Sequence, residues 1–548
     1  MNLYLLFPDR EWASSGPYFD WNNITRDLGL NTIFKAAGVD SITRTGKAVI
    51  VQNDDPYISH SVKRVMGVPL QTKEEIKYRQ DIIKDCFTKQ AFIDELYRIS
   101  NRILDEWENL GRKNNSAGET NSKPKLITDI KVLKMLVDGI IEVRTLFGKN
   151  EDGLTSEGLT ALNNRLQNDL SDERVEQLTT LVDSMSFFAG LSDARERNSF
   201  VVKVPRIRLE CGLQDGLKIS DVRVDNLETL TISYNKQHGI GSKIRGKISS
   251  INPGVVSLYK DQAIQEDAEE IEFRTVSYVY SYCGDLVNSI GNFFDQLHFQ
   301  TAFYLGVINI RSQMMQYKID YCFPQVTEDS VFEYKELKEM ILSLDTHGRT
   351  VANTGKLDGK QLVIITGANQ GGKSTFLRSI GVAQIMMQCG MMVAAQMYKS
   401  SIHVSVFTHF TRREDSAMNS GRLDEELRRM DRIISNLGKD PLILLNESFA
   451  TTTEKDGSSI AYGIVKALKE EGIKVFTVTH LLSFAQQMYE ESKTDDSVIF
   501  LSAEHLDNGK RTFKIIPHAP EMTSFGLELY DEVLGRRDDK AEYKKTVE

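Results

Sequence analysis

The chain has 548 residues, of which 41% are hydrophobic and 26% are charged, a composition typical of a folded protein with several domains. Its formal net charge of −10 excludes a protein that is basic throughout, so any contact with nucleic acid has to come from a local basic patch.

The five cysteines form no CxxC pair, which argues against a zinc site and a disulfide framework and is typical of a reducing compartment. The first seven residues are too short an apolar run for a signal peptide and have no basic flank. No apolar run approaches the roughly 18 residues that cross a bilayer. We therefore expect a cytoplasmic protein that makes no membrane contact.

The first part of the chain has helical periodicity. Apolar side chains recur at helical spacing between residues 73 and 97, and helical patterning resumes after a polar stretch at 111–125 and continues to about residue 194. The polar stretch is rich in turn-forming residues, so we expect a loop there. Residues 1–198 are predicted to form the first part of a mainly helical domain.

A β-rich insert follows at residues 199–262. Residues 201–209 and 222–234 are rich in β-branched types and alternate in places between apolar and polar, which predicts strands. A long apolar and aromatic pattern from about 276 to 315 predicts either one lever-like helix or a pair of helices. We place the second helical part at 263–324.

The last large domain has the pattern of a buried α/β sheet. Apolar runs at 362–365, 442–445 and 475–478 are separated by helical stretches. We place this domain at 325–536 and a charged tail at 537–548. The sequence thus predicts a multidomain α/β protein in which an α/β domain follows a mainly helical domain with a small β-rich insert.

The most specific motif is GANQGGKS at residues 367–374, which matches the phosphate-loop pattern GxxxxGK[ST] in full between a predicted strand and a predicted helix. Its glycines allow main-chain N–H groups to face phosphates at the positive end of the helix. Lys373 is expected to contact the β and γ phosphates from a solvated loop, and Ser374 to bind Mg²⁺. The motif predicts an ATPase that uses ATP and Mg²⁺.

A second element follows the apolar run at 442–445. Glu447 is placed to orient or deprotonate the attacking water. Asn446 stands where P-loop ATPases normally carry the aspartate that holds Mg²⁺ through water, and its amide oxygen can accept a hydrogen bond but has no charge. We therefore predict a magnesium site that includes Ser374 and Asn446, with weaker metal binding and slow hydrolysis.

Three histidines are candidates for a site. His480 ends a third predicted strand at 474–479, where residues face a ligand in sheets of this type, although a single histidine is more often structural. His403 and His409 fall on the same face of a predicted strand and, without a third ligand, are interpreted as structural. The methionines after the phosphate loop are interpreted as core, and the aromatic residues at 293–304 as a helix-packing surface.

Five motifs together resemble the ATPase domain of the MutS family of DNA-repair proteins. They are GANQGGKST at 367–375, VAAQ at 393–396, LILLNES at 442–448, DG at 456–457 and VTH at 478–480. The similarity covers residues 361–535, and residues 69–85 resemble the start of the family's helical lever domain. The resemblance implies an ABC-type ATPase fold and a homodimer in which both subunits complete each ATP site.

The resemblance also implies roles for single residues. Asn369, Lys373 and Ser374 would contact nucleotide, Glu447 would serve hydrolysis, and His480 would contact the γ-phosphate region. The full predicted nucleotide-binding set is Gly367, Asn369, Gly371, Gly372, Lys373, Ser374 and Thr375.

The chain departs from the family's pattern at several points. Asn446 replaces one of its paired acids, Leu423 replaces the serine of its SGRSTF signature, and TTTE at 451–454 replaces GTST. These changes leave ATP binding intact and bring the family's usual hydrolytic coupling into question. We find no amino-terminal domain with the mismatch-probing phenylalanine motif, so we expect a truncated, divergent relative that does not use that wedge.

The family's DNA clamp corresponds in position to the β-rich insert. Lys236, Lys243, Arg245 and Lys247 stand beside glycines that permit close approach to a phosphate. Contact would be with the backbone of double-stranded DNA and would be sensitive to salt. A solvated hairpin whose charges are balanced by the acidic run at 266–272 is an equally good interpretation.

Two functions remain open. The first is a MutS-like, ATP-dependent DNA-binding protein whose ATP binding and hydrolysis drive a dimer or clamp change in DNA repair or recombination, with repair proteins as possible partners. The alternative is a nucleotide-gated dimeric interaction protein that hydrolyses little ATP and does not bind DNA directly. Asn446 and Leu423 favour the alternative, whereas the lever and the basic insert favour the first.

Overall fold

The computed structural model describes residues 3–10, 12, 18–39, 55–112, 123–188, 199–214, 218–235, 262–327, 330–411, 421–505 and 511–520. The chain divides into two compact units. The first comprises Met1–Leu3, Ala91–Leu154 and Leu159–Thr301, and the second comprises Tyr4–Gln90, Thr155–Gly158 and Ala302–Glu548. Residues Tyr4–Gln90 therefore belong with the α/β domain, whereas the boundaries drawn from sequence grouped them with the helices that follow.

Four helices near the amino terminus belong to the second unit: α1 (Trp21–Leu28), α2 (Asn31–Gly38), α3 (Pro56–Met66) and α4 (Lys73–Thr88). The Thr72 hydroxyl caps α4 by accepting a hydrogen bond from the Glu75 amide at 3.1 Å. Arg79 on α4 is fully buried and donates to the main-chain oxygens of Leu6 and Cys389. Because a buried guanidinium needs such acceptors, these bonds fix α4 to the α/β domain.

Helices α5 (Gln90–Arg112), α6 (Lys123–Lys149), α7 (Glu157–Asp169) and α8 (Asp172–Phe188) follow. The helical pattern at 73–97 is thus divided between α4 and α5. Phe92 on α5 packs edge-on against Phe147 on α6, with ring centroids 4.9 Å apart. Of the loop that we expected at 111–125, residues 111–112 belong to α5 and residues 123–125 to α6, and residues 113–122 lie outside the described residues.

The two strands predicted in the insert are present as β1 (Ser199–Gln214) and β2 (Lys218–Asn235). They pair antiparallel from Ser199 opposite Asn235 to Gln214 opposite Lys218, with register shifts between Arg208 and Leu209 and between Glu210 and Gly212. The predicted DNA-contacting residues Lys236, Lys243, Arg245 and Lys247 lie outside the described part of the chain.

The long apolar pattern after the insert is one helix, α9 (Gln262–Gln316), of 55 residues, and not a pair. At 1.5 Å per residue it is roughly 80 Å long. The aromatic residues that we interpreted as a helix-packing surface are buried on it: Phe293, Phe294, Phe299, Phe303 and Tyr304.

The α/β domain contains two sheets. The smaller has the order β3-β7-β4-β5, with strands β3 (Gln325–Thr327), β4 (Glu333–Leu337), β5 (Asn353–Lys356) and β7 (Met397–Ser401). The larger has the order β12-β11-β6-β10-β9-β8, with strands β6 (Leu362–Thr366), β8 (Val406–Phe410), β9 (Leu442–Asn446), β10 (Lys474–Val478), β11 (Val498–His505) and β12 (Arg511–Pro517).

Five of the six strands in the larger sheet are parallel, and β12 is antiparallel to β11. The three predicted strands are β6, β9 and β10, and this part of the prediction is confirmed. Their unbroken apolar runs reflect burial on both faces, since a parallel sheet is covered by helices on both sides.

Five further helices accompany these sheets: α10 (Met340–Asp345), α11 (Lys373–Gln388), α12 (Arg422–Ser435), α13 (Glu454–Glu470) and α14 (Leu482–Glu491). Met386, Met387, Met391 and Met392, on and just after α11, are fully buried, which confirms that they belong to the core. No helix in the described ranges has the length and apolarity needed to cross a membrane.

The prediction that His403 and His409 share one face of a strand is wrong, because His403 lies before β8 begins at Val406. His403 is buried with Nδ1 3.2 Å from the Asp440 oxygen, and burial lowers its pKa to about 4. Within the described residues no group of three or more His, Cys, Asp or Glu side chains is arranged to hold a metal ion.

Candidate functional site

The loop at 367–372 joins β6 to α11 and depends on glycine at two left-handed positions. Gly367 has φ +105° and Gly372, the N-cap of α11, has φ +93°. A Cβ at Gly367 would lie 2.7 Å from the Ser502 hydroxyl and 3.0 Å from the Ala503 nitrogen, so a side chain does not fit. The turn therefore brings main-chain N–H groups to the amino end of α11, the arrangement that attracts anions.

Lys373 is the first residue of α11 and is only 4% exposed. Its ammonium donates to the main-chain oxygens of Gly367 at 2.7 Å and Ala368 at 2.8 Å. The expectation of a solvated lysine is wrong, because the loop wraps around the side chain. Burial lowers the pKa of Lys373, and the nearby Glu447 carboxylate opposes that shift.

The structure brings Ser374 and Asn446 together, although 72 residues separate them. The Ser374 hydroxyl donates to Asn446 Oδ1 at 2.7 Å. Strand β10 lies between β6 and β9 and pairs Val478 with both Ile365 and Asn446, so the ends of the three parallel strands meet at one edge of the sheet. Two oxygen ligands suited to Mg²⁺, or to its bound water, are therefore adjacent.

Glu447 follows β9 with φ +53°, a left-handed conformation that is unusual for a residue with a side chain. Its amide donates to the Val478 oxygen at 2.8 Å, and its own oxygen accepts from the Thr411 hydroxyl at 2.5 Å. These bonds hold the main chain of Glu447 at the sheet edge where the phosphate loop begins.

A cavity of about 400 Å³ lies against the phosphate loop. Its walls include Glu447 and six of the residues predicted from sequence to bind nucleotide: Asn369, Gly371, Gly372, Lys373, Ser374 and Thr375. Gly367 does not line it but shapes the loop. His480 is exposed, two residues beyond the end of β10, and is also not part of the cavity wall.

Three exposed apolar residues that the sequence reasoning missed line the same cavity: Leu342, Val351 and Phe513. Each is more than a third exposed, unlike the apolar core. No motif marks them, and Phe513 is 140 residues beyond Lys373 in the chain. An exposed aromatic ring with two aliphatic side chains suits the faces of a planar base.

Glu339 also lines the cavity and was missed. It caps α10, with Oε2 accepting from the Leu342 amide at 2.5 Å, while Oε1 has no hydrogen-bond partner among the described residues. Burial raises the pKa of this carboxyl group.

Two of the residues that depart from the family's pattern make defined contacts in the structure. Leu423, at the position of the expected signature serine, packs against the hydrophobic core of the larger sheet. Glu454 accepts hydrogen bonds from the Ser458 hydroxyl and from both the amide and the hydroxyl of Ser483, each at 3.0 Å, and so ties α13 to the start of α14. Both residues are structural in this arrangement.

The donor set fits a nucleoside triphosphate with Mg²⁺. Main-chain amides and the Lys373 ammonium suit phosphate oxygens, the Ser374 and Asn446 oxygens suit the metal, and Glu447 provides an acceptor for a water proton. The cavity volume lies within the range of small-molecule sites.

Comparison with known proteins gives two family matches. The family described as "MutS domain V" matches residues 363–533, and that described as "MutS2 N-terminal domain" matches residues 71–194. The first match contains the phosphate loop, Asn446, Glu447 and most of the cavity wall.

Individual relatives agree with these matches. The DNA mismatch repair protein MutS of Clostridium beijerinckii is 24% identical over 430 residues, covering 74% of this chain and 45% of the relative. MutS of Clostridium perfringens is 23% identical over 518 residues, covering 87% and 54%. MutS of Thermotoga maritima is 31% identical over 173 residues, covering 31% and 21%.

The chain thus spans about half the length of the curated relatives that it matches over most of its own residues. The two family matches fall on different parts of the chain, one helical and one α/β, and the relatives bear the same family name. The chain belongs to the MutS family.

Proposed function

We propose that this protein is an ATPase that acts on DNA in repair or recombination, with ATP binding and hydrolysis driving a change in a dimeric clamp. The observation that carries the proposal is the convergence of Lys373, Ser374, Asn446 and Glu447 on one edge of the larger sheet, around a cavity of nucleotide size. The relatives named above are DNA mismatch repair proteins, which supports the assignment to DNA.

In the proposed site the phosphates lie along the loop amides, and Lys373 leaves the Gly367 and Ala368 oxygens to bind them. Ser374 and Asn446 hold Mg²⁺, which when bound neutralises charge on the terminal phosphates. Glu447 orients or deprotonates the attacking water. His480, just past β10 at the same sheet edge, reaches the γ-phosphate region as the protein closes.

The base is proposed to lie against Leu342, Val351 and Phe513, the exposed apolar residues of the cavity. We further propose that the α/β domain is of the ABC type and that the protein is a homodimer, as the family resemblance implies. The long helix α9 supports a lever function, since it is continuous over 55 residues.

Replacing Asn446 by Asp is expected to lower the Mg²⁺ concentration needed for half-maximal binding of a fluorescent ATP analogue by roughly tenfold. The carboxylate keeps the acceptor for the Ser374 hydroxyl and adds a full charge beside the metal, where such partners change metal affinity by about 10- to 100-fold. Asn436→Asp, at the end of α12, adds the same charge away from the site and serves as the control. An unchanged Mg²⁺ requirement would show that Asn446 does not face the metal.

The DNA part of the proposal rests on the insert, and its test is a variant with Lys243, Arg245 and Lys247 all replaced by Ala. Duplex binding is expected to weaken equally for all sequences, and the slope of log K against log salt to fall by up to about three. Both quantities come from fluorescence anisotropy at several salt concentrations.

A second variant, with Lys439, Lys455 and Lys493 replaced by Ala, removes the same charge from the surface of the α/β domain and is expected to keep the parent's slope. Equal slopes for the parent and the insert variant would exclude the insert as the contact.

A nucleotide-gated interaction protein that hydrolyses little and does not bind DNA is the second candidate. Asn446 and the packing of Leu423 against the core favour it, because this half-buried leucine provides no hydroxyl for a nucleotide. ATP hydrolysis with and without duplex DNA separates the two. Stimulation by DNA supports the first function, and a parent protein that never binds duplex at low salt with ATP present supports the second.

A further inference from the structure

Helix α12 is attached to the loop that carries Glu447. Glu426, on the first turns of α12, is only 5% exposed, and its Oε2 accepts from the Phe449 amide at 2.8 Å. Phe449 is two residues after Glu447 and is itself buried with φ +65°. The bond therefore fixes a left-handed residue of the loop to a helix that is remote in sequence.

His409 on β8 strengthens the same attachment. Its Nε2 donates to the main-chain oxygen of Glu426 at 3.0 Å, and its Nδ1 lies 2.7 Å from the Ser448 hydroxyl. The imidazole also stacks on the Phe449 ring, with centroids 5.4 Å apart. Both residues after Glu447 are thus held by one buried cluster, defined by His409, Glu426, Ser448 and Phe449.

Arg429, the buried cation one turn later on α12, opposes the rise in the pKa of Glu426 that burial causes. Arg429 donates to the Phe410 oxygen at 2.9 Å and pairs with Asp27 at 3.4 Å. Glu426 thus directs one oxygen to the loop amide, and Arg429 holds α12 to the end of β8.

We propose that Glu426 is a positioning residue for Glu447. It holds the Phe449 amide, keeps the loop in its left-handed course, and so keeps the Glu447 carboxylate at the cavity wall. This inference rests on the proposed ATPase function. Glu426 touches no substrate, and its role is to accept one hydrogen bond.

The experiment compares Glu426→Ala and Glu426→Gln with the parent. Glu426→Ala is expected to lower kcat at least tenfold while the Kd of a non-hydrolysable ATP analogue stays within about twofold and one nucleotide still binds per chain. Glu426→Gln retains an oxygen acceptor and is expected to keep kcat within about threefold of the parent. Glu425→Ala, a half-buried glutamate one position earlier on α12, is the matched control and is expected to behave as the parent.

Hydrogen exchange gives a reading that does not depend on hydrolysis. The Phe449 amide is expected to exchange at least tenfold faster in Glu426→Ala than in the parent, and near the parent rate in Glu426→Gln. The inference is overturned if exchange at Phe449 is unchanged in Glu426→Ala, if kcat is unchanged there, or if Glu426→Gln is as slow as Glu426→Ala.

Failure of the proposed ATPase function gives a different result from failure of the inference about Glu426. A parent that hydrolyses no more ATP than buffer without protein refutes the ATPase, and the exchange rates then decide alone whether Glu426 holds the loop.

Discussion

Replacement of Lys373 by Met is expected to lower the affinity for ATP by roughly 30-fold to several-thousandfold, since truncating one member of a buried, hydrogen-bonded charge pair costs about 2–5 kcal/mol. Lys373 is buried and enclosed by the loop oxygens of Gly367 and Ala368. Methionine keeps the length of the aliphatic chain and fills the same space, whereas alanine would leave a cavity. The loss therefore reports the missing ammonium and not a collapsed loop.

The measurement is equilibrium binding of a fluorescent ATP analogue, with thermal unfolding to show that the variant is folded. Lys439→Met is the control, because that side chain is 85% exposed and lies away from the cavity. Unchanged affinity in Lys373→Met, with the fold intact, would remove the phosphate-loop assignment.

Glu447→Gln is expected to reduce the hydrolysis rate by about 10²- to 10⁴-fold, the usual contribution of a general base, while ATP binding is retained. The amide has the shape of the carboxylate but cannot take a proton from water. With hydrolysis blocked, ATP should hold the protein in a closed dimer, which size-exclusion chromatography with ATP and Mg²⁺ would detect. The structure supports this choice of residue because Glu447 lines the cavity beside Lys373 and Ser374.

Steady-state phosphate release measures the rate, and Glu471→Gln, at the exposed end of α13, provides the control. A Glu447→Gln protein that hydrolyses ATP at the parent rate would remove Glu447 from catalysis, whatever the state of the dimer.

The parts of the fold that sequence predicted are those with a strong local signal. Strands β6, β9 and β10 are unbroken apolar runs, and the phosphate loop is a contiguous motif whose glycines have a single geometric purpose. The proximity of Ser374 to Asn446 also followed, since strand ends of a parallel sheet meet at one edge.

Other features depend on contacts that no local pattern encodes. The burial of Lys373 results from loop oxygens that turn inward, and Phe513 reaches the cavity only because β12 lies at the edge of the larger sheet. In the sequence, nothing distinguishes Glu426 from its acidic neighbours on α12, and only the fold places it against Phe449. The prediction for His403 was wrong because β8 begins at Val406, three residues after His403, whereas the sequence pattern indicated a strand that already included His403. The sequence left open whether this region forms one helix or two, because periodicity alone does not distinguish them, and the structure has the single helix α9.

The left-handed course of the chain at Glu447 and Phe449 has a mechanical consequence. Each such residue costs roughly 1–3 kcal/mol, and the conformation persists only while its surroundings impose it. Three separate elements do so: β10 through the Val478 oxygen, the end of β8 through Thr411, and α12 through Glu426. Because the relaxed backbone is lower in energy, loss of any one of these restraints favours departure of the loop from this conformation. The segment therefore stores strain, and three hydrogen bonds, each to a different element, together hold it in this conformation.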